Sequence, residues 1–255
     1  MHENLDELLA EVANGHRTAE EAAAALRDLG YVGVGDFARL DVSRAARAGT
    51  PEFVYAEAKT VEQLVAIVDR YLEHGDAVLC SRVSAEQATA VAERHRDAEY
   101  DPRSRVLVAR RAGAAPPAAR GTAGVLAAGT SDVGVAEEAA AVCRVMGVEV
   151  VTAYDVGVAG LHRLAGPLDE MRAAGVAAIV VAAGMEGALP SVVAGLVDVP
   201  VIGLPTSTGY GLGGRGEAAL LGMLQSCSPG LVVVNIDNGV GAGATAALIA
   251  RRAAG

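Results

Sequence analysis

Beyond residue 121 the chain alternates between short, unbroken runs of Val, Ile and Ala and longer stretches with helical spacing. The runs fall at Gly124–Ala128, Val148–Ala153, Val176–Ala183, Val199–Leu204 and Leu231–Ile236. Apolar runs without polar alternation are what strands covered on both faces require. With helical segments between them they predict repeated β-α units and a parallel sheet. Right-handed crossovers then place helices on both faces.

The pattern upstream is different. Leu5–Ala13 and Thr18–Leu29 have helical spacing, the second with Thr18 as N-cap and Glu21 three residues on. Pro51 precedes a strand at Glu52–Ala56, and Thr60 caps a helix reaching about Glu73. Strands at Ala77–Cys80 and Arg105–Ala109 flank a helix from Ser84 to about Arg96. These elements predict a small α/β domain over residues 1–110. Residues 111–121, with adjacent Pro116 and Pro117, read as a linker, and 122–255 as the catalytic α/β domain.

Composition narrows the function. At 52% hydrophobic but only 3% aromatic, with no Trp, the core must be built from Ala, Val, Leu and Ile. The net charge of −10, with no basic stripe, argues against nucleic acid as a partner. No apolar run is long enough to span a bilayer, and the charged amphipathic N-terminus lacks a signal-peptide core. No membrane partner and a cytoplasmic location are expected. Cys80, Cys143 and Cys227 are an odd, widely spaced set that fits reduced thiols.

In open parallel sheets ligands bind beyond the carboxyl ends of the strands, and here each such end carries a polar or glycine-rich loop. Gly129, Thr130, Ser131 and Asp132 lead straight into a helix, as a phosphate site or as an ordinary N-cap. Tyr154 and Asp155 follow the second strand. Gly184, Met185 and Glu186 follow the third, where Glu186 is a metal ligand, a general base or a helix-start charge. The fourth loop, from Pro205 to Arg215, contains Thr206, Ser207, Thr208, Gly209 and Tyr210, and Arg215 is suited to phosphate. Asn235, Asp237 and Asn238 close the fifth strand.

Cys143 sits at an apolar helix position, as a structural thiol does, and Cys80 ends a strand. Cys227, among small polar residues at a helix end, is either an accessible reactive thiol or an uninvolved one. The five histidines are scattered outside the richest loops, which excludes a credible Ser/His/Asp triad, and no His/Cys set has metal-site spacing.

The strand-end loops resemble, in order and spacing, those of aminoimidazole ribonucleotide carboxylase, the octameric flavodoxin-like carboxylase and mutase of purine synthesis. That enzyme has histidines where this chain reads Tyr154 or Asp155 and Ala188, so its imidazole-directed proton transfer has no counterpart here. The stretches AGMEGALPSVVAGL, PTSTGYGLGGRGEAALLGMLQSC and VVVNIDNGVGAG are more similar to the LarB family, the pyridinium-3,5-biscarboxylic acid mononucleotide synthases of nickel-pincer nucleotide biosynthesis. An N-terminal signature points the same way: Leu40-Asp41, Arg44, Arg47, Gly49, Pro51-Glu52 and Lys59-Thr60, with Ala58 in place of an expected glycine.

The resemblance implies a flavodoxin-like parallel sheet with helices on both faces, preceded by the small α/β domain. It implies carboxylation of C5 of the pyridinium ring of nicotinic acid adenine dinucleotide, with cleavage of the phosphoanhydride and release of AMP. Cys227 takes the position of the family's nucleophile, and Glu186 is the candidate base or metal-linked group. Mg²⁺, bound largely through the ligand's phosphates, and CO₂ or bicarbonate as co-substrate are expected, with no organic cofactor. Arg44, Arg47 and the lone lysine, Lys59, are candidates to reach an active site from the N-terminal unit, or are surface charge. A homo-oligomer is implied, with eight subunits as the expected number. The competing readings are a purine-type carboxylase/mutase and a non-catalytic nucleotide-binding module.

Overall fold

The computed structural model describes residues 5–22 and 31–255. Helix α1 (Leu5–Ala13) has the predicted bounds. The capping box at Thr18 forms, with Glu21 N–H donating to the Thr18 hydroxyl and the Glu21 carboxylate accepting from Thr18 N–H. The remainder of that predicted helix, to Leu29, lies outside the described residues.

The N-terminal unit continues with a hairpin, β1 (Val32–Val34) and β2 (Ala38–Leu40), and a short helix α2 (Arg44–Ala48), none of which the apolar pattern marked. Then come β3 (Phe53–Tyr55), α3 (Val61–Leu72), β4 (Ala77–Ser81), α4 (Ala85–Arg94), β5 (Glu99–Asp101) and β6 (Val106–Arg110). Both α3 and α4 open with a full capping box, Thr60 with Gln63 and Ser84 with Gln87. The sheet order is β3-β4-β6-β5, with β3 and β4 parallel and the other pairs antiparallel.

Residues 111–121 contain no helix or strand, yet they are held down: Arg120 N–H donates to the Gly147 carbonyl at 2.7 Å. The C-terminal unit then runs β7 (Thr122–Ala127), α5 (Val133–Val145), β8 (Glu149–Tyr154), α6 (Ala165–Ala173), β9 (Ile179–Ala183), α7 (Ala188–Ala194), β10 (Val201–Pro205), α8 (Glu217–Leu224), β11 (Leu231–Val233) and α9 (Gly239–Ala253). Its five strands are all parallel in the order β11-β10-β9-β7-β8. This is the flavodoxin-like order, with the direction of winding reversing between β7 and β9. The predicted fold class holds. Strand β11 is shorter than the predicted run and less covered, since Val232 on this edge strand is 53% exposed.

The layers share their cores. Helices α5 and α9 cover one face of the large sheet, and α6, α7 and α8 pack on the other. The small sheet lays Leu79 and Val106 on the outer side of α5, so they join the same buried cluster as Val125, Ala136 and Val180. Its opposite face is covered by α3 and α4 through Leu64, Ile67, Val68 and Val91. No helix among the described residues is long and apolar enough to cross a membrane.

Candidate active site

The reversal between β7 and β9 opens a cleft of about 390 Å³ at the carboxyl ends of the large sheet. A crevice is topologically expected there, because the connections leave the two neighbouring strands toward opposite faces. Its walls bring together Gly129, Thr130, Ser131 and Asp132 after β7, Asp155 after β8, Gly184, Met185 and Glu186 after β9, and Thr208 after β10. A larger hollow, about 650 Å³, lies between β5, β6 and α5. It touches no carboxyl strand end of the large sheet, and convergent loop groups are what a ligand site needs, so the smaller cleft is the candidate.

The floor of the cleft is a polar network inside an apolar core. Asp132 is 3% exposed; one carboxylate oxygen accepts from the Gly129 N–H at 2.8 Å and the other from the Thr206 hydroxyl at 2.6 Å. Thr206 is fully buried, so it supports the site from beneath and does not line it. Thr208 ties the fourth loop to the first, its hydroxyl donating to the Ser131 carbonyl at 3.3 Å. Gly184 is required by close approach, because a Cβ there would stand 2.2 Å from the Thr208 carbonyl oxygen. Met185 adopts a left-handed backbone at φ 51° and donates its N–H to the same carbonyl at 3.0 Å. Such conformations are strained for a residue with a side chain and persist where surrounding bonds enforce them.

Of the three cleft carboxylates, Asp132 is committed to the floor and Asp155 pairs with Arg163 at 2.7 Å. Glu186 is exposed and has no hydrogen bond or ion pair among the described residues. No cluster of three or more His, Cys, Asp or Glu side chains is gathered there or elsewhere among the described residues. One free carboxylate beside room for phosphates fits Mg²⁺, which keeps most of its shell as water and ligand oxygens.

Other predicted residues lie apart from the cleft. The Tyr154 hydroxyl donates to Glu137 on α5, and burial first, then this bond, hold its phenol well above the usual range. Gly209, Tyr210 and Arg215 belong to an exposed loop, with Arg215 at φ 61°. Asp237 accepts from the Ser207 N–H at 2.8 Å, and Asn238 caps α9 through the Gly241 N–H. The Asn235 side chain accepts from the Ile236 N–H. Arg44 and Arg47 are exposed on α2, Arg47 paired with Asp41, and Gly49 beyond them packs on Leu248 of α9. Lys59 donates to the Tyr55 carbonyl at 2.8 Å.

Cys227 is the one exposed cysteine; Cys80 and Cys143 are buried, and burial pushes both thiols up to about 12. Ser226 and Ser228 bond to Ser191 on α7, which pins the segment and turns Cys227 outward. Cys227 precedes β11, so it lies at the amino edge of the sheet, whereas the cleft lies beyond the carboxyl edge. A five-residue strand such as β10 separates those edges by about 16 Å. Within one chain the thiol does not line the cleft.

Two cations near these loops escaped the sequence reading. Arg163, from the turn after β8, lines the cleft. Arg82, at the end of β4 in the N-terminal unit, donates to the Asp237 carbonyl at 2.7 Å. The partner of Arg82 is 155 positions away and supplied by the fold, whereas Arg163 pairs with Asp155 within the same connection.

Comparison with known proteins matches both units. Residues 31–111 match the LarB/PurE-like N-terminal domain, and residues 122–254 match the AIR carboxylase domain. The chain belongs to the LarB family. It is also 40% identical to the uncharacterized protein MJ0165 of Methanocaldococcus jannaschii, over 98% of both chains. LarB-type pairing of these domains gives the chain a carboxylase-type activity, and in this LarB-family chain the AIR carboxylase half supplies the cleft described above.

Proposed function

We propose that the chain carboxylates C5 of the pyridinium ring of nicotinic acid adenine dinucleotide and cleaves its phosphoanhydride. The products are AMP and pyridinium-3,5-biscarboxylic acid mononucleotide, the precursor of the nickel-pincer cofactor. The observation that carries this reading is the chemistry of the cleft: Asp155 and Ala188 line it where the purine enzyme has imidazoles, while the chain exposes a single thiol, Cys227.

A pyridinium ring is electron-poor and does not attack CO₂. Addition of the Cys227 thiolate at C4 forms a C–S bond and turns the ring into a neutral dihydropyridine, whose C5 is the nucleophilic carbon of an enamine. C5 then bonds to CO₂, leaving an iminium at the ring nitrogen. Loss of the C5 proton to a base restores the enamine, and expulsion of the thiolate from C4 restores the aromatic cation. The aromatic ring and the thiolate return to their starting state, with a carboxylate in place of the hydrogen that left as a proton. Glu186 is the cleft carboxylate free to take that proton or to hold Mg²⁺. Mg²⁺, when bound, would neutralise charge on the phosphates as water displaces AMP. Thr130 and Ser131, on the loop that Gly129 ties to Asp132, offer backbone N–H groups and hydroxyls for the mononucleotide phosphate.

The distance between Cys227 and the cleft of its own chain supports a working homo-oligomer in which a neighbouring subunit brings the thiol. Leu221 and Leu224, three positions apart on α8, are exposed apolar side chains on the helix that leads to Cys227 and are suited to subunit contact. The test is incubation of the full chain with nicotinic acid adenine dinucleotide, bicarbonate and Mg²⁺. The expected result is AMP together with a mononucleotide heavier by one carboxylate, and a cysteinyl-pyridine adduct in the intact-protein mass. Turnover of aminoimidazole ribonucleotide instead would sink the proposal in favour of the purine reaction, and binding without AMP release would favour a non-catalytic module.

A further inference from the structure

The N-terminal unit also has a parallel strand pair, β3 and β4, and its carboxyl ends, Tyr55 and Ser81, face the loop that follows β11. Between them is a crevice of about 240 Å³ bounded by Phe53, Tyr55 and Arg82 on one side and by Ile236, Asp237 and Asn238 on the other. Two sheets therefore direct the ends at which ligands bind into one space. Arg82, with its side chain 29% exposed, spends one donor on the Asp237 carbonyl and stands 3.7 Å from Glu138, leaving other guanidinium N–H groups uncommitted. Two further cations bond to the backbone of its lining residues. Arg105 donates to the Arg82 carbonyl at 3.0 Å and Lys59 to that of Tyr55 at 2.8 Å. Two acidic residues line the crevice, Glu138 beside Arg82 and Asp237, whose carboxylate accepts from the Ser207 N–H; Glu57 nearby is engaged by Tyr55 and Arg105.

This crevice and the cleft are next-door neighbours. Thr208 lines the cleft, and the adjacent Ser207 donates its N–H to Asp237, which lines the crevice. Consecutive residues thus line the one space and bond to the lining of the other. At about 390 Å³ the cleft is at the small end for a drug-sized ligand, and a dinucleotide is larger. An aromatic pair beside an arginine is the chemistry that takes a nucleobase and its phosphate.

We propose that the junction crevice is the adenylate subsite: Arg82 holds the adenosine-side phosphate and Tyr55 stacks on the base, while the mononucleotide half lies in the cleft. This rests on the dinucleotide reading and gives the N-terminal unit a part in binding.

The experiment is calorimetric titration of the full chain with AMP and, separately, with nicotinic acid mononucleotide, for the wild type, Arg82→Ala and Tyr55→Ala. Tyr55 is half-exposed, so its truncation reports on stacking even if Arg82→Ala loosens the junction. The expected result is simultaneous binding of both probes, with AMP weakened about tenfold or more in each variant and the mononucleotide within about twofold. Competition between the two probes, or unchanged AMP affinity in both variants, overturns the subsite. Normal dinucleotide turnover with unchanged KM in both variants also overturns it and leaves the proposed reaction standing. A wild type that never processes the dinucleotide, yet loses AMP on these substitutions, overturns the reaction and leaves the subsite standing.

Discussion

The hydroxyl of Thr206 donates to the carboxylate of Asp132 at 2.6 Å, joining the loops after β10 and β7 beneath the cleft. Both residues are buried, so neither can turn to water for a replacement partner. Thr206→Val keeps the shape and removes the donor. It is expected to lower the unfolding free energy by about 1–3 kcal/mol, read from urea denaturation, with Thr206→Ser close to wild type. A valine variant as stable as the parent would show that the bond contributes nothing.

The three cysteines should respond very differently to a water-soluble alkylating agent. Burial that pushes the Cys80 and Cys143 thiols up to about 12 leaves no thiolate at neutral pH, whereas Cys227 is exposed. Intact-protein mass spectrometry should find a single modification, located at Cys227 by peptide mapping. Cys227→Ala should cut carboxylation by about three orders of magnitude or more while shifting stability by less than about 0.5 kcal/mol.

Glu138 lies beneath the junction with its side chain 4% exposed, and burial raises its carboxyl to about 7, against the pull of Arg82. A carboxyl raised on folding favours the native state most when it is protonated in both states. Its contribution is therefore full below about pH 4.5, falls as pH rises toward 7 and is flat above that. Glu138→Gln should remove this slope. Relative to the variant, the wild type should lose up to about 3 kcal/mol between about pH 4.5 and 8. Parallel thermal-midpoint curves for the two proteins would rule the titration out.

If the thiol of one subunit serves the cleft of another, two crippled chains can repair each other. Cys227→Ala and Glu186→Gln should each be inactive alone. Co-expressed in one assembly they should regain part of the wild-type rate, because some sites pair an intact thiol with an intact cleft. A co-assembly confirmed by light scattering that stays dead would place both groups in one chain's site.

Much of this architecture is legible from residue order. The unbroken Val/Ile runs predicted β7 to β10 to within a few residues, because a strand buried on both faces has no room for polar positions. Thr60 and Ser84 marked their helices because a capping box is a local interaction. The hairpin β1–β2 and strand β5, each three residues per strand, are too short for periodicity to register. The cleft loops after β7 and β9 were legible through their glycines and small polar residues. Arg82 was not, since its carbonyl partner is 155 positions away. Cys227 shows a different limit. It is ten positions from Asp237 in sequence, yet β11 runs between them and carries them to opposite edges of the sheet.

The outer face of α5 floors the core of the small sheet, while its inner face belongs to the core of the large one. Residues 111–121 are thus a strap laid over a continuous interior, not a hinge between two independent bodies. Cooperativity follows from that continuity: the chain should melt in one step, and cutting at the strap should strip the cover from α5 and leave a sticky remnant. The junction crevice would then keep its shape for as long as the chain stays folded, held by the same packing that holds the fold.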